Sequence, residues 1–485
     1  LAVLGIDFGT SNCAAYVAEA NGQITGVPLE GDDLLLPSVI FTARREVAAK
    51  QIEANEFSRR LRSARADQAK LARNGGSAID EQTLARSIEA AMRREALEEA
   101  DKQYWDQTFF SMMQDGQAVM FGSPALAAYL ADPLSGALVK SPKSFLGSDL
   151  TDEYVSYFEG VITQMLSHIL RKAETLVQTQ ITQAVIGRPV TYHGTRGQEG
   201  NNQAVNVMEK ACKTVGFQQV EFVMEPLAAA LEYESGISED TLVLVVDIGG
   251  GTTDCALVQL GPNRRLANQR DSDVLGYSGD RIGGTDFDQA LAWHSFMPLL
   301  GKDAMTKKKL PIPYGILMDA ISTRDMPAQL RFRSAAHRIE QMIREAQNPE
   351  LLTRLLTLHE NQYQHRLINS AEQTKIQLTR QAVCVAPLDY LEEALELEVS
   401  VQDFSKASDR AIAKIKDIVG EVLKTTGAKP DSVFITGGMG MSPVVQGSLR
   451  QLFADNTRIE VGDMLGSVGK GLGLCAMNLL NRSAN

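Results

Sequence analysis

Apolar and polar positions follow two different periods along this chain of 485 residues. The first 42 residues carry strand-like runs: Leu1 to Ile6, a glycine-bearing turn, a second run from Cys13 to Val17, and Asn21-Gly22 as a hairpin signal. From Ala43 to about Tyr104 the pattern turns helical and rich in Ala, Arg, Glu and Gln. It breaks at Asn74-Gly75-Gly76-Ser77, which predicts two exposed helices and a turn. This segment reads either as a solvated insertion or as an arm that docks a protein partner. From about Ala118 to Gly236 strands and helices alternate, with a strand at Ala184 to Ile186 and a helix near Asn201 to Val215, which is α/β grammar. A second all-strand opening follows at Thr241 to Leu260, then a long helical stretch from about Met326 to Gln381. The strand Ser432 to Thr436, a Gly-Gly turn, a helix and the glycine-spaced stretch Gly462 to Gly473 close the chain.

Composition sharpens this picture mainly by exclusion. With 48 basic and 60 acidic residues the formal charge is −12, so no diffuse basic surface is available to nucleic acid or to anionic membranes. At 44% hydrophobic and 22% charged the chain is a folding protein, long enough for about two to four compact units. No apolar stretch approaches the roughly 20 residues of a membrane span. No basic segment leads into an apolar run at the start, so no signal peptide and a cytoplasmic location are expected. Cys13, Cys212, Cys255, Cys384 and Cys475 lack CxxC spacing and histidine neighbours and are expected to be buried thiols.

The chemistry lies in an internal near-repeat. Asp7-Phe8-Gly9-Thr10-Ser11-Asn12-Cys13-Ala14 is matched by Asp247-Ile248-Gly249-Gly250-Gly251-Thr252-Thr253-Asp254-Cys255-Ala256, with two extra residues in the second turn. Each copy joins two strands, whereas a Walker loop or a dinucleotide fingerprint opens a helix. Glycines let successive N–H groups face one concavity, and Thr and Ser hydroxyls add donors, so the pair predicts a two-sided clamp on a phosphate chain. Asp7 and Asp247 are placed to hold the waters of a hydrated Mg²⁺.

The two hairpins resemble the phosphate loops of the actin-like ATPase superfamily, and the second is most similar to that of the seventy-kilodalton heat-shock chaperones. Val223-Met224-Glu225-Pro226-Leu227-Ala228-Ala229-Ala230, Ile282-Gly283-Gly284-Thr285-Asp286-Phe287-Asp288 and Phe434-Ile435-Thr436-Gly437-Gly438 resemble further family motifs in the same order, and Asp463 and Gly469 fit the closing one. The resemblance implies an α/β fold, the duplicated actin-like ATPase (ribonuclease H-like) fold, with two lobes around a nucleotide cleft and helical insertions. Lobe I would span 1–236 with an insertion at about 43–104, and lobe II 237–485 with a helical subdomain at about 285–424.

It also implies that ATP or ADP and Mg²⁺ are the cofactors. Asp7, Glu225 and Asp247 would organise Mg²⁺ and the attacking water, with Thr252 beside the γ-phosphate. Gly9, Thr10, Ser11, Asn12, Gly249, Gly250 and Gly251 would cradle the phosphates. Adenosine would fall to Gly284, Glu372, Lys375, Thr379, Gly437, Gly438 and Asp463; Glu372, Lys375 and Thr379 have the three and four spacing of one helix face. The chain departs from the family pattern where an adenine-stacking Arg becomes Ile376, and Gly-Gly-Ser-x-Arg becomes Gly437-Gly438-Met439-Gly440-Met441, so adenine would sit among apolar and thioether groups. The family's catalytic Lys is expected at Leu126, which predicts slow hydrolysis; Lys143 matches another family Lys and Lys140 has no clear counterpart.

The last matched motif lies about 15 residues from the end. The expectation is therefore an ATPase domain without the leucine-rich linker, β-sandwich and lid, as in the stand-alone YegD-like, chaperone-like proteins. The alternatives are a small-molecule kinase of the same fold, which needs a further Asp base and a substrate pocket, and a filament-forming protein, whose flat faces the 43–104 insertion would obstruct. Nucleotide is the expected partner, with a protein partner engaging the helical insertions and neither nucleic acid nor membrane involved.

Overall fold

The structure is a computed structural model that describes residues 2–43, 54–73, 84–85, 88–89, 92, 119–192, 196–265, 270–462 and 466–484. Two five-strand arrays of the same design form its frame. In the first, strand Ala2–Phe8 turns back on Asn12–Glu19, which pairs in turn with Ile24–Gly26; on its other side Ala2–Phe8 lies parallel to Gln183–Arg188, and that strand to Gln219–Met224. A short strand, Leu35–Pro37, adds to Asn12–Glu19. The second array repeats the order: Thr241–Ile248 turns back on Thr253–Leu260, which pairs with Val274–Asp280, while Thr241–Ile248 lies parallel to Ser432–Thr436 and that strand to Arg458–Val461. The near-repeat is thus a repeat of topology, and the chain has the duplicated α/β actin-like ATPase fold.

Both arrays read as continuous apolar runs because both faces are covered, as sheets with parallel neighbours require. Val3, Ala18 and Val185 of the first array and Val243, Val245 and Val258 of the second bury against the Ala228-Ala229-Ala230 face of helix Glu225–Glu234 and against Leu472, Ala476 and Leu479 of helix Ser467–Ala484. Close approach explains the glycine spacing at the chain's end. A Cβ on Gly471 would lie 1.8 Å from the Ala228 carbonyl oxygen, so only glycine lets these two helices touch.

The predicted helical stretch at 326–381 is a set of separate helices, Met326–Arg333, Ala336–Glu345, Pro349–Glu360 and Gln364–Gln377, with Pro349 opening the third. Their apolar faces fill a second core with Phe287, Phe296, Leu317 and Phe404. Cys13, Cys212, Cys255 and Cys384 are buried free thiols and Cys475 is half-buried.

The described chain divides into two compact units. One comprises Leu1–Phe41, Met120–Leu134 and Leu138–Asn485 and contains both arrays; the other comprises Thr42–Val119 and Ser135–Ala137. Helix Ala54–Arg73 lies in the second unit, with Arg59 and Arg60 both paired to Glu56 at 2.8 and 2.9 Å. The predicted turn at 74–77 lies outside the described residues. Among the described residues no helix is long and apolar enough to cross a membrane.

Candidate nucleotide cleft

The two glycine hairpins meet. An ideal Cβ on Gly250 would lie 1.9 Å from the Ser11 hydroxyl oxygen, and one on Gly251 would lie 2.7 Å from Thr10 Cγ2, so each turn closes against the other. Neighbours pin both turns. Ser38 donates its hydroxyl to the Gly9 carbonyl at 2.7 Å and its N–H to the Ser11 carbonyl at 2.8 Å. In the second hairpin the Gly249 N–H donates to Thr252 at 2.9 Å, and Thr285 donates both its N–H and its hydroxyl to the Gly250 carbonyl at 2.8 Å.

Beside the hairpins lies a cavity of about 340 Å³, within the usual size of small-molecule sites. Asp7, Gly9, Thr10, Ser11, Asn12, Glu225, Asp247, Gly249, Gly250, Thr252, Gly284, Glu372, Lys375, Thr379, Gly437 and Gly438 line it, residues scattered over more than 400 positions of the chain. Gly251 does not line the cavity; it forms the contact with Thr10. Asp463 lies outside the described residues. The expected single helix face holds for two of its three members. Helix Gln364–Gln377 carries Glu372 and Lys375, but it ends before Thr379, whose hydroxyl turns back to the Ile376 carbonyl at 2.7 Å.

One end of the cavity is acidic. Asp7 and Asp247 end matching strands, and Glu225 opens its helix with Pro226 behind it. Asp254 faces Asp247 across the second hairpin, at the position that Ala14 holds opposite Asp7. Burial raises the Asp7 carboxyl to about 7, with repulsion from Glu225 adding to it. The same causes raise Asp254 to about 7, and burial followed by repulsion from Glu225, Asp254 and Asp7 lifts Asp247 well above its ordinary value.

The structure supplies the cation at 143. Ser141, in the left-handed region at φ 58°, turns the chain into the short Pro142–Phe145 helix and seats Lys143 with only 5% of its side chain exposed. Its ammonium donates to Glu225. Burial alone would lower this lysine, but Glu225, Tyr192 and Asp7 outweigh it and hold Lys143 above its ordinary value. Position 126, where the resemblance puts the family's catalytic Lys and this chain has Leu, does not line the cavity. Leu126 sits on helix Gly122–Ala131 and packs with Val39, Phe41, Ala125 and Tyr129 in an apolar cluster. Lys140 is engaged elsewhere, bonding Glu372 at 2.5 Å.

Sequence reasoning passed over Asp254 and Tyr192 and gave Lys143 a lesser place. Asp254 carried a readable signal, since the hairpin register puts it opposite Asp247. Tyr192 carried none.

The other end of the cavity is apolar. Ile376, Met439, Met441 and Val468 line it beside Arg380 and Ser442, and Ile376 and Met441 are 45% and 47% exposed. Lys375 bonds Asp288 at 2.8 Å and the Gly284 carbonyl at 3.3 Å, which holds it between the two ends. Gly437, at φ 81°, passes so close to the strand end that a Cβ would lie 2.6 Å from Asp247 Oδ1.

Comparison with known proteins agrees with this geometry. A family model described as Hsp70 protein matches residues 143–310, about a third of the chain, from Lys143 through Glu225 and the second hairpin to Gly284 and beyond. Over that stretch the chain is similar to Hsp70 proteins. Over 330 residues, 66% of its length, it is 23% identical to the Chaperone protein DnaK of Stenotrophomonas maltophilia (strain R551-3), of which the match covers 43%. The Chaperone protein dnaK of Gracilaria tenuistipitata var. liui is 30% identical over 160 residues, 31% of this chain and 23% of that protein. That of Elusimicrobium minutum (strain Pei191) is 28% identical over 196 residues, 38% and 28% of the two chains. The chain spans less than half the length of these curated relatives.

Proposed function

We propose that the chain binds ATP with Mg²⁺ in this cleft and hydrolyses it slowly, as a chaperone-like ATPase related within its family to the YegD-like proteins. One observation carries the reading: two glycine hairpins, three carboxylates and Lys143 converge on one end of a cavity whose other end is apolar. A phosphate chain suits the first end and a base the second.

The residues fit Mg²⁺ by their chemistry. Asp7, Asp247 and Asp254 are oxygen donors raised by burial and then by repulsion within a cluster that includes Glu225, with Lys143 set against them, and a divalent cation relieves that repulsion. Among the described residues no three acidic, His or Cys side chains stand close enough to hold a metal together, so contact would run through water. When bound, the ion would neutralise phosphate charge. Thr10, Ser11 and Thr252 would donate hydroxyls to phosphate oxygens, while Glu225 and Lys143 would orient water and γ-phosphate. Turnover stays slow because Glu225 already neutralises part of the Lys143 charge that a departing phosphoryl group needs.

Titrating ATP, ADP and adenosine with and without Mg²⁺, read by thermal stability, tests the proposal. Mg-ATP at a hundred times its dissociation constant should add about 2.7 kcal/mol. Equal responses with and without Mg²⁺, or none, would reject it.

A further inference from the structure

Resting on the nucleotide reading, we propose that Tyr192 is a positioning residue of this cleft: when a phosphate chain draws the Lys143 ammonium away from Glu225, the Tyr192 hydroxyl takes its place as donor to that carboxylate. The Tyr192 side chain is 4% exposed, and its hydroxyl oxygen is buried without a hydrogen-bond partner among the described residues. A buried hydroxyl left unpaired destabilises a fold, and phenylalanine would fill the same space without that cost.

Chain geometry brings this group to the acidic end of the cavity. Strand Gln183–Arg188 runs parallel to Gln219–Met224 with Arg188 opposite Met224, so the segment after Arg188 leaves the sheet beside Glu225. Two bonds fix its course. The Val190 N–H donates to Asp254 at 2.6 Å, and the Tyr192 N–H donates to Asn201 at 2.8 Å. Tyr192 shares a buried cluster with Leu146, Ala204 and Met208, and Leu146 directly follows the Pro142–Phe145 turn that carries Lys143. Burial holds the hydroxyl above its ordinary value against the opposing pull of Lys143, so its proton stays on and the group remains a donor.

In the ligand-free chain Lys143 already satisfies Glu225, and a second donor is not needed. A terminal phosphate competes for the same ammonium. Were Lys143 to leave without a substitute, Glu225 would be a buried carboxylate short of its donor, and that penalty would hold the lysine back. Tyr192 removes the penalty by exchanging one O–H for one N–H, with no proton transferred.

A double-mutant cycle in ligand-free calorimetry reads the exchange directly. In the parent, Tyr192→Phe deletes an unpartnered hydroxyl, so the melting midpoint should hold or rise. In Lys143→Ala the hydroxyl has become the donor to Glu225, so adding Tyr192→Phe should lower the midpoint; Lys143→Met, which keeps the stem, serves where Lys143→Ala does not fold. A ring that only packs cannot reverse sign, because phenylalanine keeps the ring. In titration calorimetry Tyr192→Phe should weaken Mg-ATP about tenfold, as loss of one hydrogen bond to a charged group predicts, and keep Mg-ADP, which lacks the terminal phosphate, within about twofold. A midpoint shift of the same sign in both backgrounds, or equal effects on ATP and ADP, would overturn the inference. A parent that binds neither nucleotide would instead overturn the nucleotide reading.

Discussion

Lys143→Ala is the perturbation that presses hardest on the cleft. The ammonium and its Glu225 partner are 5% and 8% exposed, so solvent screens neither, and deleting one leaves a carboxylate buried among Asp7, Asp247 and Asp254. Breaking such a pair costs about 3–5 kcal/mol. At about 2.1 cal/mol/K per residue, 485 residues unfold with an entropy near 1 kcal/mol/K, so the ligand-free midpoint should fall by about 3–5 °C in calorimetry. Adding Glu225→Gln removes the stranded charge and should restore most of that loss. Phosphate release in single turnover should meanwhile drop by about 10²–10³, the usual cost of one electrostatic donor, and the double variant should not recover it. Stability and chemistry thus separate, as a merely structural ion pair would not allow. If Lys143→Ala melts and turns over like the parent, the cleft's cation has been misassigned. Leu126→Lys should bring no compensating gain, because that position faces Val39, Phe41 and Tyr129.

Three further outcomes are expected. Gly250→Ala should abolish Mg-ATP stabilisation while lowering the ligand-free midpoint only slightly, because its methyl must displace Ser11, whereas Gly471→Ala drives a Cβ into the Ala228 carbonyl and should fail to fold; equal defects in both by circular dichroism would refute the distinction. Lys140→Ala breaks the 2.5 Å bond to Glu372, a residue of the cavity wall, and should speed release of a fluorescent ADP analogue several-fold, with an unchanged off-rate counting against a latch. Asp7 and Asp254 hold protons up to about 7 that the unfolded chain releases near 3.8, so ligand-free stability should fall as pH rises between those values, while the Mg²⁺-dependent increment, which needs ionised carboxylates, should grow; equal Mg²⁺ increments at about pH 5 and about pH 8 would sink this.

Much of this cleft was legible because its residues sit where local rules are strong. Strand ends carry Asp7 and Asp247, glycine turns follow them, and a Glu-Pro pair opens a helix, so type and place are both readable from a short window. Thr379 falls off the helix because spacing reports periodicity and not where the last turn frays; the Thr379 N–H already bonds only three residues back, to the Ile376 carbonyl at 3.2 Å. Position 126 needs the fold for a different reason. A short apolar helix and the Pro142-Lys143 turn follow one another within 20 residues, and only the fold decides which one reaches the cleft. That decision rests on the Ser141 N–H donating to Ser38 at 2.8 Å, a bond between residues 103 positions apart that no periodicity announces.

The duplication also explains why the two halves do not play equal parts. Both hairpins keep an Asp at the strand end in the same register, yet the residue opposite is Ala14 in one and Asp254 in the other. Asp254 spends one carboxylate oxygen on the Val190 N–H at 2.6 Å, a bond to the first array, so it joins the halves as well as adding charge. The second hairpin also has the longer turn, with Gly249 closing on Thr252 and Gly283 packed against it, which gives a cradle reinforced by the next motif. The first has Ser38 and the lysine-bearing turn instead. The second hairpin therefore adds one carboxylate, Asp254, that the first lacks, while the answering cation, Lys143, comes from the first half and pairs there with Glu225. Asp247 and Asp254 of the second half thus stand with Lys143 and Glu225 of the first in one charge cluster, and the Lys140–Glu372 bond likewise ties a residue of the first half to one of the second.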